Sequence, residues 1–150
     1  MTPLNIGIRR VSRGPGDVEL MLLVPSDLAF VAEAVELVAT HTPAGILSPR
    51  RVQFNLRTVL AEVLANAITY GNREDPAKQV EIRVEAGRDG VRVTVTDSGD
   101  GFDPERVPDP TAPEALWREA GRGLFVIRHL VDAVDFNAKG NAVCLTLRAG

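Results

Sequence analysis

Three short stretches of this chain carry side chains whose types and spacing could do chemistry. In "EVLANAITYGN", residues 62 to 72, Glu62 and Asn66 stand four residues apart, so on a helix they project side by side. A carboxylate next to an amide combines a proton acceptor with an oxygen ligand for a hard cation such as Mg²⁺. In "DSGDGFDP", residues 97 to 104, Asp97 follows the alternating run "VRVTVT", and an inward carboxylate there can accept a hydrogen bond from the amino group of a ligand. In "GRGLFVIRHL", Gly121 and Gly123 precede an apolar helical pattern. Glycines at that place expose the first N–H groups of a helix, an end that attracts phosphate.

Each stretch also has a plain reading. Asp, Ser, Gly and Pro are the residues of any polar turn, and Asp97 could cap that turn or pair with a neighbouring helix. The acid–amide pair could belong to a helix–loop hydrogen-bond stripe. Glycine entry into a helix is ordinary, and neither the Walker phosphate loop nor a strand–GxGxxG–helix unit is present.

The elements that must position these residues can be read from periodicity. Val91, Val93 and Val95 form one side of a strand, and Asp97 has the same parity, so a regular strand turns it toward the helix layer. Ser48 and Pro49 open a helix that runs through residues 50 to 71 and stops at Gly71 or Asn72. Its apolar face holds Val52, Leu56, Val59, Leu60, Val63 and Leu64, and Asn55, Thr58, Glu62, Asn66 and Thr69 form a narrow polar stripe beside it. An earlier helix over residues 25 to 41 has Ser26 as its cap candidate and apolar spacing at Leu28, Val31, Val35 and Val38. Strands are expected at 18–24, 79–86, 91–97, 133–137 and 142–148, with "GRDG" as a hairpin turn. Residues 102 to 120 hold four prolines and no apolar period; loops of that length are usually functional or disordered. This order predicts an α+β two-layer sandwich, its sheet mixed but mostly antiparallel, with helices on one face. Residues 1–17 read as an arm or edge strand and 18–150 as the domain.

Composition narrows the classes. A chain of 150 residues with 45% hydrophobic and 25% charged residues is ordinary for one soluble domain. The net charge of −3 gives no clustered basic footprint for nucleic acid. A single cysteine, Cys144, excludes an internal disulfide and a cysteine-rich zinc site, and is expected on the strand face opposite Val143 and Leu145. The longest strongly apolar run, "LMLLV", is far shorter than a membrane span, and the first ten residues have no apolar core. A cytoplasmic protein is expected. His41 and His129 stand alone, and Trp117 lies in the proline-rich loop.

In this order the three stretches resemble motifs of the GHKL ATPases: "EVLANAITYGN" their N box, "DSGDGF" their G1 box and "GRGLF" their G2 box. The resemblance is strongest to the bacterial anti-sigma-factor serine kinases, through "GFDP", "PDPTAPE" and "GRGLFVIRHLVDAVDFNAKGNAV", and covers about residues 18 to 148. It implies ATP and Mg²⁺ as cofactors, with Glu62 as the general base toward a substrate serine and Asn66 as a ligand of the Mg²⁺. Asp97 would accept from the adenine amine, with Gly99, Gly101 and Phe102 beside the base. Residues 102 to 120 would be the ATP lid, and Gly121, Arg122, Gly123 and Leu124 would meet the phosphates. The implied function is an ATP-dependent anti-sigma factor that sequesters a sigma factor and phosphorylates a serine of a STAS-type antagonist. A homodimer is also implied, with no direct nucleic-acid or membrane partner. Ala65 and Tyr70 stand where the family often has Thr and His, which leaves a non-catalytic ATP-binding module as the alternative, with a histidine-kinase catalytic domain as a weaker one.

Overall fold

Alternating apolar residues build the sheet of this protein. The computed structural model describes residues 4–14, 16–98 and 123–150, with the backbone alone at 123–126. The six strands are β1 (Gly7–Ser12), β2 (Val18–Pro25), β3 (Gln79–Gly87), β4 (Gly90–Thr96), β5 (Ala133–Phe136) and β6 (Ala142–Arg148). They pair in the order β1-β2-β3-β4-β6-β5. Every pairing is antiparallel, so the mixed component of the expectation is absent among the described strands.

The register puts one apolar set on one face. Leu22, Ile82, Val95 and Val143 stand opposite one another along the pairs β2–β3, β3–β4 and β4–β6, and all four are buried. The helices cover this face. Val31–His41 forms α1, Arg57–Asn66 forms α2, and Gly123–Leu130 forms α3. Leu56, Val59, Leu60, Val63 and Leu64 of the long central helix are buried as its apolar stripe predicts, whereas Val52 is only partly covered. Burying side chains of this size contributes roughly 1.5–3 kcal/mol each, which makes the helix–sheet layer the principal source of stability. Cys144 lies half-buried between buried Val143 and Leu145, on the opposite face as expected.

Local chemistry explains the helix ends, with one correction. Ser26 does not cap the first helix. Asp27 does, accepting from the Ala29 N–H at 2.9 Å before a short 3₁₀ turn, Leu28–Phe30. Ser26 is 2% exposed and donates instead to the carbonyl of Lys78 at 2.7 Å; a hydroxyl this deep serves the nearest acceptor rather than a helix end. Ser48 behaves as predicted, its Oγ accepting from the Arg51 N–H at 3.3 Å. The central helix is continuous through Gly71, with wide π-helical segments at Arg51–Leu56 and Ala67–Gly71 flanking α2. Wide turns of this kind recur at functional sites, and after Asn66 this one abandons the 3.6-residue phase that the sequence reading assumed.

The hairpin expected at "GRDG" closes β3 onto β4 through Gly87 paired with Gly90. Gly90 has φ +142°, and a Cβ there would also collide with the Leu147 carbonyl, so this position requires glycine. The N-terminal segment at 7–12 forms an edge strand on β2 rather than a loose arm. The chain end is tied down as well, since Gly150 exchanges backbone hydrogen bonds with Ile46 and Ser48 at 2.9 and 3.0 Å. Among the described residues no helix is long and apolar enough to cross a membrane.

Candidate functional site

The polar stripe of the central helix divides into two functions. Asn55 donates from Nδ2 to the Leu130 carbonyl at 3.0 Å and so holds the last turn of α3 against the helix. At that residue the stripe is structural, although the bond runs to the end of a helix rather than to a loop. Glu62 and Asn66, two and three turns further on, have no such assignment.

Asn66 is 6% exposed, and its Nδ2 is buried with no hydrogen-bond partner among the described residues. A buried amide left this way costs free energy unless a ligand satisfies it. Because the amide oxygen and nitrogen exchange places by a flip, either an oxygen ligand or an N–H donor can be presented. Glu62 is half-buried one turn earlier. Burial alone pushes its carboxyl above the ordinary value, with no cation facing it among the described residues. A desolvated, uncompensated carboxylate has the basicity that a general base needs.

Asp97 follows β4 and is half-buried. Its side chain lies directly against the backbone of Gly71, close enough that a Cβ there would overlap its carboxyl. The parity argument is therefore correct: the carboxyl faces the helix layer. Its backbone N–H donates to the Asn141 carbonyl at 2.9 Å, and the Asn141 Nδ2 donates to its carbonyl at 3.0 Å. One fold thus gathers the acid–amide pair, the end of the central helix and the inward Asp97 on the same face of the sheet.

The neighbouring Asn72 is a residue that the pattern reading treated only as a helix stop. It is 1% exposed. From Nδ2 it donates to Ser26 Oγ at 2.9 Å and to the Gln79 carbonyl at 3.1 Å, and its Oδ1 accepts from the Ser98 N–H at 2.8 Å. The available signal was an asparagine directly after the helix-ending glycine, followed by a turn.

The remaining predicted positions are only partly visible. Gly123 and Leu124 begin α3, which packs on α2. Gly99, Gly101, Phe102, Gly121, Arg122 and the lid at 102–120 lie outside the described residues, as does Trp117. His41 is a structural residue, with its Nδ1 donating to the Leu37 carbonyl at 2.7 Å. Among the described residues no cluster of three His, Cys, Asp or Glu is disposed to hold a metal. That suits Mg²⁺, which takes few protein ligands and shares the rest with substrate phosphates and water. The amide oxygen of Asn66, once flipped into the buried position of the unpartnered Nδ2, could supply one such ligand. A hollow of about 540 Å³ opens at the far end of the sheet, by Arg13, Glu19, Glu85, Arg88 and Arg92, and none of the candidate residues lines it.

Comparison with known proteins identifies the family of this fold. The family model described as "Histidine kinase-like ATPase domain" matches residues 24–147. The chain is 29% identical over 90 residues to a serine-protein kinase RsbW of Oceanobacillus iheyensis, covering 55% of this chain and 56% of that protein. It is 29% identical over 99 residues to the serine-protein kinase RsbW of Bacillus subtilis, covering 61% and 62%. An anti-sigma F factor of Clostridium beijerinckii is 31% identical over 123 residues, 77% of this chain and 84% of that protein. The matches to the two kinases thus span less than two thirds of those proteins. The matched residues include Glu62, Asn66, Asp97 and α3, and the chain belongs to the histidine kinase-like ATPase family, in its anti-sigma-factor serine kinase branch.

Proposed function

We propose that this protein is an ATP-dependent anti-sigma factor that sequesters a sigma factor and phosphorylates a serine of an antagonist protein, so exchanging one partner for the other. The observation that carries this reading is the pairing of Glu62 with Asn66: a carboxylate raised by burial, one helical turn from a buried amide with an unsatisfied atom.

In this reading Asp97 accepts from the adenine amine, and Asn66 would be the side chain that holds Mg²⁺, whose chemistry there would be charge neutralisation on the phosphates. Glu62 accepts the proton of the substrate serine as its oxygen attacks the γ-phosphorus, and ADP leaves. α3 presents its first N–H groups to the phosphates. Gly99, Gly101, Phe102, Gly121, Arg122, Gly123 and Leu124 complete the nucleotide's surroundings, with residues 102 to 120 as the lid over them. Residues 18–150 act as the catalytic domain, and the antagonist is of the STAS type. The protein works as a cytoplasmic homodimer.

The test is incubation of the purified protein with ATP, Mg²⁺ and candidate antagonists, followed by phosphoserine mapping and sigma-factor binding. Stoichiometric phosphoserine on one antagonist, with sigma factor retained afterwards, is the expected result. ATP binding without transfer to any antagonist that displaces sigma factor would contradict the kinase assignment.

A further inference from the structure

We infer that Gly71 and Asn72 are positioning residues that set Asp97 for adenine, an inference resting on the reading of Asp97 as the base-recognising carboxylate. Gly71 is the last residue of the wide turn Ala67–Gly71 and does not have positive φ. Backbone freedom therefore does not explain a glycine there, and within a helix glycine is a poor choice beside alanine. Space explains it. A Cβ at position 71 would overlap Cγ and Oδ2 of Asp97 and stand 2.9 Å from its Cβ. Rotating the carboxylate about χ1 would relieve the first two contacts but not the third. Any side chain at 71 thus displaces both the carboxylate and the strand end that carries it.

Asn72 secures the same point through hydrogen bonds. Its Oδ1 accepts from the N–H of Ser98, the residue after Asp97, at 2.8 Å, and its Nδ2 is fixed by Ser26 and the Gln79 carbonyl. On the other side Asn141 bonds both peptide groups of Asp97. The backbone of Asp97 is therefore held by Asn141, the residue before β6, while its carboxylate lies against Gly71, so the helix that carries Glu62 and Asn66 sets its place. A hydrogen-bonding site discriminates sharply only when its acceptor cannot drift, so the pair Gly71–Asn72 sets selectivity for a purine bearing an exocyclic amine.

The test compares affinity for ATP with affinity for purine riboside triphosphate, which lacks only that amine, in the full chain with Mg²⁺. Circular dichroism checks the fold of each variant. Wild type is expected to prefer ATP by about tenfold or more. Gly71→Ala should reduce that preference to near unity while analogue affinity stays within about threefold. Asn72→Ala provides the same reading should Gly71→Ala not fold. Equal loss for both nucleotides, or an unchanged preference, would overturn the positioning role. A wild-type chain that binds both equally, or binds neither, would instead overturn the reading of Asp97.

Discussion

Glu62 is a carboxylate raised by its surroundings alone, and two consequences follow at the residue scale. In the proposed role of base it must be ionised, so transfer should fall as pH drops through its raised pKa; a pH–rate profile of kcat/KM measures this. Its effect on stability has the opposite sign. The folded chain binds this proton more tightly than the unfolded chain, so stability falls as pH rises from the unfolded pKa to the raised folded one. Glu62→Gln should therefore raise the melting temperature at neutral pH, and the gain should fade in acid. Asp97→Ala removes the proposed acceptor for the adenine amine and should weaken ATP binding roughly 10- to 100-fold in calorimetry, as loss of a hydrogen bond to a charged group would. These residues were legible because their types were wrong for a solvated helix face and a regular strand. Asn72 was not legible: its three partners come from residues 26, 79 and 98, and no local pattern brings those together.

At the scale of elements, periodicity located the strands and helices, and tertiary contacts decided their ends. Ser26 has the chemistry of a cap but is drawn to the Lys78 carbonyl, and Asp27 takes its place. The wide turns around α2 were invisible because they arise from packing rather than from residue type. Leu60, with no exposure at the centre of the helix–sheet contact, should cost about 2–5 kcal/mol on replacement by alanine in urea unfolding. A second element-level device lies after α3. Asp132 accepts from the Arg148 N–H at 2.7 Å and pairs with Arg51 at 3.0 Å, tying the start of the central helix to β6. The Arg148 N–H foremost, and then Arg51, lower its pKa. Its contribution is therefore present above the unfolded pKa and lost as pH falls through the lower folded one. Asp132→Ala should lose about 1 kcal/mol at neutral pH and show a smaller further loss in acid than wild type.

Over the whole molecule, an antiparallel sheet with helices on one face sets the end of the helix that carries Glu62 and Asn66 against the end of β4, where Gly71 meets Asp97 and Asn72 bonds Ser98. Helix phase and strand parity, both computed from spacing, predicted the layers and the inward Asp97, whereas the family was legible only through the resemblance of the three motifs. The central claim is that Glu62 performs proton transfer in a site that binds ATP without it. Single-turnover transfer of labelled γ-phosphate to the antagonist, with ATP affinity measured on the same samples of wild type and Glu62→Gln, tests it directly. Loss of transfer by at least about a hundredfold is expected, the scale of general-base catalysis, with ATP affinity within about threefold of wild type. Equal transfer by the variant at full occupancy would contradict it.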